Sequence, residues 1–178
     1  MDYPAWKYYP LNAKAPEWVE EVVNVVNRCE LEISTVDAHT GLSSDAVLEH
    51  LRSGLETLGF EVETGKGAGQ KVRRTVLYGE NGRPAVNYDI DAFHDYLGVA
   101  VEVEAGRGAA NNADYRDIVR TSLILDARFL ILMQPFAYRP NPKAKPIHAY
   151  DNSRDQLDAI YASRRLVLPF EGILLIGY

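Results

Sequence analysis

The run YDIDAFHDYLGVAVEVEAG, residues 88–106, constrains the chain most, because its acids alternate with apolar residues on two neighbouring segments. Side chains two apart on a strand share a face, so Asp89 and Asp91 fall on one side and Glu102 and Glu104 share one side of the next strand. Val99, Val101 and Val103 then fill the opposite face. If the two strands pair, four carboxylates crowd a small area. That costs several kcal/mol unless protons or a cation neutralise them. Magnesium or manganese is the expected neutralising ion.

The surrounding pattern builds elements on both sides of this run. Pro16 followed by Trp18, Val19, Val22, Val23 and Val26 predicts an amphipathic helix to about Arg28, preceded by an irregular arm. A second helix starts at a Ser43 or Ser44 cap, carries Val47, Leu48, Leu51, Leu55 and Leu58 on one side, and stops at Gly59. Residues 60–64 read as a short extended segment and GKGAGQK, residues 65–71, as a mobile loop. Two β-prone runs flank Glu80-Asn81-Gly82-Arg83, a hairpin signal, and a third strand over Val99–Glu104 completes a meander. Asn111 or Asn112 is expected to cap a helix with Tyr115, Ile118, Val119, Ser122 and Leu123 inward and Arg116 and Arg120 one turn apart. FLILMQ, residues 129–134, reads as a strand buried on both faces. A segment with four prolines follows, then a helix with a Ser153/Gln156 capping box, then the strand GILLIGY.

The order from residue 43 is helix, three strands, helix, strand, helix, strand, which predicts an α/β fold with helices around a mixed sheet. One domain over 1–178 is expected, with an N-terminal arm and helix over 1–42, a core over 43–134 and the proline-rich loop, helix and final strand over 135–178. At this length such a chain buries roughly two-thirds of its unfolded surface. The single cysteine, Cys29, excludes an internal disulfide and reads as a small core residue in a reducing compartment. No segment has a signal peptide's basic start and apolar core, or the ~20 apolar residues needed to span a bilayer. The expectation is a cytoplasmic protein with no membrane contact.

A net charge of −6 argues against a nucleic-acid partner until its distribution is considered. Residues 1–65 hold 4 basic and 12 acidic side chains, whereas residues 66–178 hold 15 basic and 13 acidic. Four of the later acids are the cluster itself, so a bound metal would leave a basic environment around it. Both halves having ordinary solvated faces is the plainer alternative.

Together these residues resemble the restriction-endonuclease-like, or PD-(D/E)xK, nuclease superfamily. Its αβββαβ core carries one metal-binding acid on the second strand and an acid-x-lysine pair on the third. Asp91 falls in the first position, and Glu102 with Glu104 in the second motif. Glu104 stands where most members have lysine, and GVAVEVEAG looks more like a Glu-x-Glu branch among type II restriction enzymes. The resemblance covers residues 43–134, and the remainder only by strand order. It implies Mg2+- or Mn2+-dependent phosphodiester hydrolysis, most readily in DNA, and a homodimer by family analogy.

The chemistry assigns Asp91 and Glu102 as metal ligands, with the Val103 carbonyl as a further oxygen and Glu104 as the group that orients or deprotonates water. Asp89 is expected either behind the ligands or simply exposed, and Asp95 in a turn. Glu49 and Glu56 are remote candidates for further acids. Lys71, Arg73, Arg74, Arg139, Lys143 and Lys145 are candidates for nucleic-acid contact, against plain solvated charge. Arg116 and Arg120 are equally phosphate clamps or partners of Asp117. The aromatic arm of Tyr3, Trp6, Tyr8 and Tyr9 either stacks on bases or packs on the domain. His39, His50, His94 and His148 have no metal-ligand spacing, and no Gly-x-Ser-x-Gly elbow occurs. The alternatives to a nuclease are a non-catalytic nucleic-acid-binding or regulatory module with the same fold, and an interaction domain whose acids only solvate a sheet.

Overall fold

The structure is a computed structural model that describes residues 3–37, 41–105, 112–139, 141 and 143–178. Two expected features, His39 and the alternative cap Asn111, lie outside these residues. The strands are β1 (Ala5–Tyr9), β2 (Glu61–Val62), β3 (Val72–Tyr78), β4 (Pro84–Ile90), β5 (Ala92–His94), β6 (Val99–Val103), β7 (Phe129–Gln134) and β8 (Gly172–Gly177). The helices are α1 (Glu17–Arg28), α2 (Glu30–Ile33), α3 (Ser44–Thr57), α4 (Ala113–Thr121) and α5 (Ala149–Ser163).

Six strands form a mixed sheet in the order β1-β8-β7-β6-β5-β2, parallel from β6 through β8 and antiparallel elsewhere, while β3 and β4 form a separate hairpin. One face, through Val99, Val101, Val103, Ile131, Met133 and Ile176, packs on Val19, Val22 and Val26 of α1 and Leu48, Leu51 and Leu55 of α3. The other, through Ala100, Leu130, Leu132, Ile173 and Leu175, packs on Ile118 of α4 and Leu157 of α5. Strands β7 and β8 are buried along their whole length, as continuous apolar runs between two helical layers should be.

Local signals explain most boundaries. The Ser43 hydroxyl accepts the Ala46 N–H at 3.2 Å to start α3, and Gly59, at φ +95°, turns the chain beyond it. Asn81 and Gly82 both take positive φ, the geometry that closes the hairpin. In the glycine-rich loop, the Gly67 N–H donates to Gln70 Oε1 at 3.0 Å around one 3-10 turn.

Five expectations need correction. The N-terminal arm is the edge strand β1, paired antiparallel with β8, because its partner comes from the far end of the chain. Tyr8 and Tyr9 are therefore buried, and Tyr9 donates to Asp158 Oδ1 at 2.7 Å. On α4, Tyr115 and Val119 face outward at 45% and 58% exposure, Leu123 lies beyond the helix at 48%, and the inward face holds Asp114, Asp117, Ile118 and Thr121. Asn112 precedes that helix in a left-handed conformation without a side-chain cap. Helix α5 begins at Ala149, so Ser153 is no cap; its buried hydroxyl donates to Asp114 Oδ2 at 2.8 Å and ties α5 to α4. Cys29 is also only half-buried, with its thiol on the His50 carbonyl. Among the described residues, no helix is long and apolar enough to cross a membrane.

Candidate active site

The site is built where the β4–β5 strand breaks. Asp91 lies between the two segments, and Ile90 and Phe93, three residues apart, sit in the same core layer, so the two-residue alternation fails there. The break gives Asp91 two tasks. Its carbonyl accepts the Glu63 N–H at 2.8 Å, continuing the pairing with β2, and its Oδ2 accepts the Val103 N–H at 2.7 Å, fixing the carboxylate against β6. Glu102 lies on β6 between Val101 and Val103, which turn into the opposite core layer.

Glu104 follows β6 immediately and is held at both backbone groups. Its N–H donates to the Met133 carbonyl at 3.0 Å, and its carbonyl accepts the Tyr178 hydroxyl at 2.7 Å. Its side chain, 9% exposed, accepts from Arg116 at 2.7 Å, and Arg116 Nε also donates to Asp117 Oδ1 at 3.0 Å. Asp117 is 1% exposed, and among the described residues its Oδ2 has no hydrogen-bond partner.

These groups border one open cavity of about 400 Å³. Asp91, Glu102, Glu104, Glu63 and Asp117 all contribute, with Lys71, Arg116 and Arg120 as the basic members. Burial and the neighbouring Glu63 and Asp117 push the Asp91 carboxyl up to about 7 against the pull of the Val103 N–H. Burial, followed by Asp91 and Asp117, holds the Glu102 carboxyl well above its ordinary range. Burial and a proton shared with Asp117 push Glu104 up to about 8, although Arg116 opposes this. A pocket that resists ionisation of three neighbouring acids is one that a hard cation would stabilise.

Among the described residues, no three Asp, Glu, His or Cys side chains form a ready-made metal cage. Magnesium does not need one, because it keeps several waters and takes one or two carboxylates. The all-oxygen donor set and the unpartnered Asp117 Oδ2 fit such an ion.

The remaining expected residues divide clearly. Asp89 borders the cavity but is paired with Arg73 across the hairpin at 2.8 Å. Arg74 is held by Glu61 and Asp95 at 2.8 and 2.9 Å and lies over the Phe93 ring, so it serves the sheet edge. Lys71 is in the cavity wall, ion-paired with Glu63. Arg139, Lys143 and Lys145 are exposed on the segment after β7 and do not line the cavity. Neither Glu49 nor Glu56 lines it, and Glu49 pairs with Arg52. His94 sits edge-on to Phe60 and accepts the Leu97 N–H.

Sequence reasoning missed Glu63, Asp117 and Tyr178 as members of the site. Only Asp117 left a trace, flanked by the two arginines one turn apart. A larger apolar hollow of about 680 Å³, between the end of β1 and α5, includes one acid, Asp158, which is already bound by Lys7 and Tyr9.

No family model and no curated protein matches the chain. Among solved structures it is similar to restriction endonuclease BglII complexed with a DNA 16-mer, at a TM-score of 0.52 and 13% identity, over 99% of this chain and 78% of that one. The fold is restriction-endonuclease-like, a mixed central sheet flanked by helices.

Proposed function

We propose that the chain is a metal-dependent nuclease that hydrolyses phosphodiester bonds in DNA. The observation that carries this reading is the position of Asp91: at a strand break, locked by the Val103 amide, beside Glu102 and Glu104 in one open cavity. Asp91, Glu102 and the Val103 carbonyl would hold the ion. Bound there, Mg2+ or Mn2+ would lower the pKa of a coordinated water and offset the charge that builds on the phosphate.

The chain's own residues do the rest. Glu104, poised near neutral pH and pinned by Tyr178 and Met133, orients the attacking water and accepts its proton. Water adds to phosphorus, the bond to the 3′ oxygen breaks, and that oxygen takes a proton from bulk solvent, giving a 5′-phosphate and a 3′-hydroxyl. Lys71 and Arg120, at the cavity wall, face the backbone of the bound strand, with Arg139, Lys143 and Lys145 as outlying contacts. Asp89 holds Arg73 in place at the margin.

A second reading draws on the ion pair between Glu104 and Arg116. If that carboxylate stays engaged, the protein binds nucleic acid as a non-catalytic or regulatory module. Incubating supercoiled plasmid with wild type and the Asp91→Asn/Glu102→Gln double variant, in Mg2+ and in Mn2+, separates the two. Nicking or linearisation by wild type alone supports the nuclease; binding without cleavage under both ions supports the module.

A further inference from the structure

The β3–β4 ribbon is the part of the chain to which the chemistry of the cavity gives no task. Its two seven-residue strands pair only with each other and run about 20 Å from a root beside Asp91. That root is in the cavity wall, through Lys71, Asp89 and Ile90. A polynucleotide strand lying in the cavity therefore passes the ribbon. The two faces of the ribbon differ. Val72, Ile90, Arg74 and Tyr88 fall on one face by alternation, and it is occupied: Val72 and Ile90 are in the core, Arg74 lies over the Phe93 ring, and Arg120 of α4 covers Tyr88. The other face carries Arg73 opposite Asp89 and Thr75 opposite Asn87. Thr75 Oγ1 donates to Asn87 Oδ1 at 3.0 Å, which fixes the exposed carboxamide and leaves its two N–H donors unbonded among the described residues. Farther out, Arg83 is exposed, as are Leu77, Tyr78 and Val86. Residues 71–90 hold four basic and two acidic side chains in a chain of net charge −6, so the ribbon is a positive element on a negative protein.

We propose that the β3–β4 ribbon reads base edges in the major groove of duplex DNA, with Thr75, Asn87 and Arg83 as the side chains that set specificity. This rests on the nuclease reading and specifies how that site would choose its substrate. The B-form major groove is about 12 Å wide and admits a two-stranded ribbon, whereas the corresponding groove of an RNA helix is too narrow for side chains to read. The bulges at Thr75/Leu77 and Leu77/Tyr78 add to the right-handed twist that such a ribbon needs to follow a groove. The free donors of Asn87 match acceptors on purine edges, the Arg83 fork matches guanine, and Leu77 and Val86 suit a thymine methyl. Arg120 joins the two parts, because it covers Tyr88 and donates to the Asp89 carbonyl at 3.3 Å while lining the cavity. A duplex seated on the ribbon is thereby held in one register over Asp91.

Selection from a pool of duplex DNA with a randomised core tests this. Glu102→Gln, which silences cleavage, is compared with Glu102→Gln carrying either Thr75→Val/Asn87→Ala or Arg83→Gln. Each protein is checked for an intact thermal transition and for its association state without DNA. Glu102→Gln is expected to enrich a short motif that distinguishes A·T from T·A, a difference displayed only in the major groove. The ribbon substitutions should relax one or two positions of that motif and weaken binding of the selected duplex by about tenfold, with little effect on an unselected one. A motif that the substitutions leave unchanged, a motif blind to A·T orientation, or a bound pool with no motif would overturn the inference and leave the nuclease reading standing. Failure to bind any duplex, with no nicking of plasmid by wild type, would defeat the nuclease reading and this inference with it. A ribbon substitution that turns a dimer into a monomer without DNA would assign the ribbon to a contact between copies of the chain, and would also overturn it.

Discussion

At the scale of single residues, Glu102 separates chemistry from folding most cleanly. Its carboxyl is held well above its usual range by burial and by Asp91 and Asp117, so its charge strains the apo protein. Glu102→Gln should therefore fold at least as well as wild type, lose cleavage, and bind DNA equally or more tightly, because one repulsion with phosphate is gone. Gel-shift and cleavage assays on one preparation check this, and undiminished cleavage would remove Glu102 from the mechanism. Tyr178 offers a second probe. Tyr178→Phe leaves the buried Glu104 carbonyl without its donor, a loss of roughly 1–3 kcal/mol in a denaturant titration. At this scale the sequence revealed the acids that alternate along one strand and its neighbour. Glu63 and Asp117 reach the cavity from other elements, and Tyr178 supports it from behind through the Glu104 carbonyl, placements that tertiary folding alone completes.

At the scale of elements, periodicity was a good guide where the apolar stripe and the buried stripe coincide, as in α1, α3 and β7. It misled on α4, where Asp114 and Asp117 take the inward face, Asp114 bonded to Ser153 of α5 and Asp117 bordering the cavity. It also missed β1, a five-residue strand whose partner lies about 170 residues away. That strand shields a fully buried β8, and Tyr9 and Lys7 clamp it to Asp158 of α5. Deleting residues 1–10 should uncover an apolar strand edge and produce concentration-dependent aggregation, visible by light scattering. A monodisperse, normally melting truncation would show that β1 is dispensable. In the core, Leu132→Ala, at a side chain with no exposure, should cost about 2–5 kcal/mol in chemical denaturation.

At the scale of the whole molecule, the cavity should govern how stability depends on pH. Asp91 and Glu104 bind protons more tightly in the folded chain, at about 7 and about 8, than carboxyls do in an unfolded one. Their contribution is fully present below the unfolded carboxyl range and is lost as pH rises through 7 and 8. The carboxyls lowered by ion pairs, Asp89, Asp158 and Glu171, act in the opposite sense but below that window. Without metal, the melting temperature should fall between pH 5 and pH 8, and millimolar Mn2+ should restore most of the loss at pH 8 and little at pH 5. A flat or rising profile in chelator would mean that these acids ionise freely.

The β3–β4 hairpin leaves the six-stranded sheet at Asp91, so its outer end shares no ladder with the strands that carry Glu102 and Glu104. Insertions, deletions or new side chains around Asn81 and Gly82 alter no pairing in that sheet. For a lineage under pressure to change what it recognises, this is a modular arrangement. The projecting ribbon can drift while the residues next to Asp91 stay under purifying selection, so divergence should concentrate at one end of a continuous piece of chain and stop abruptly at the other.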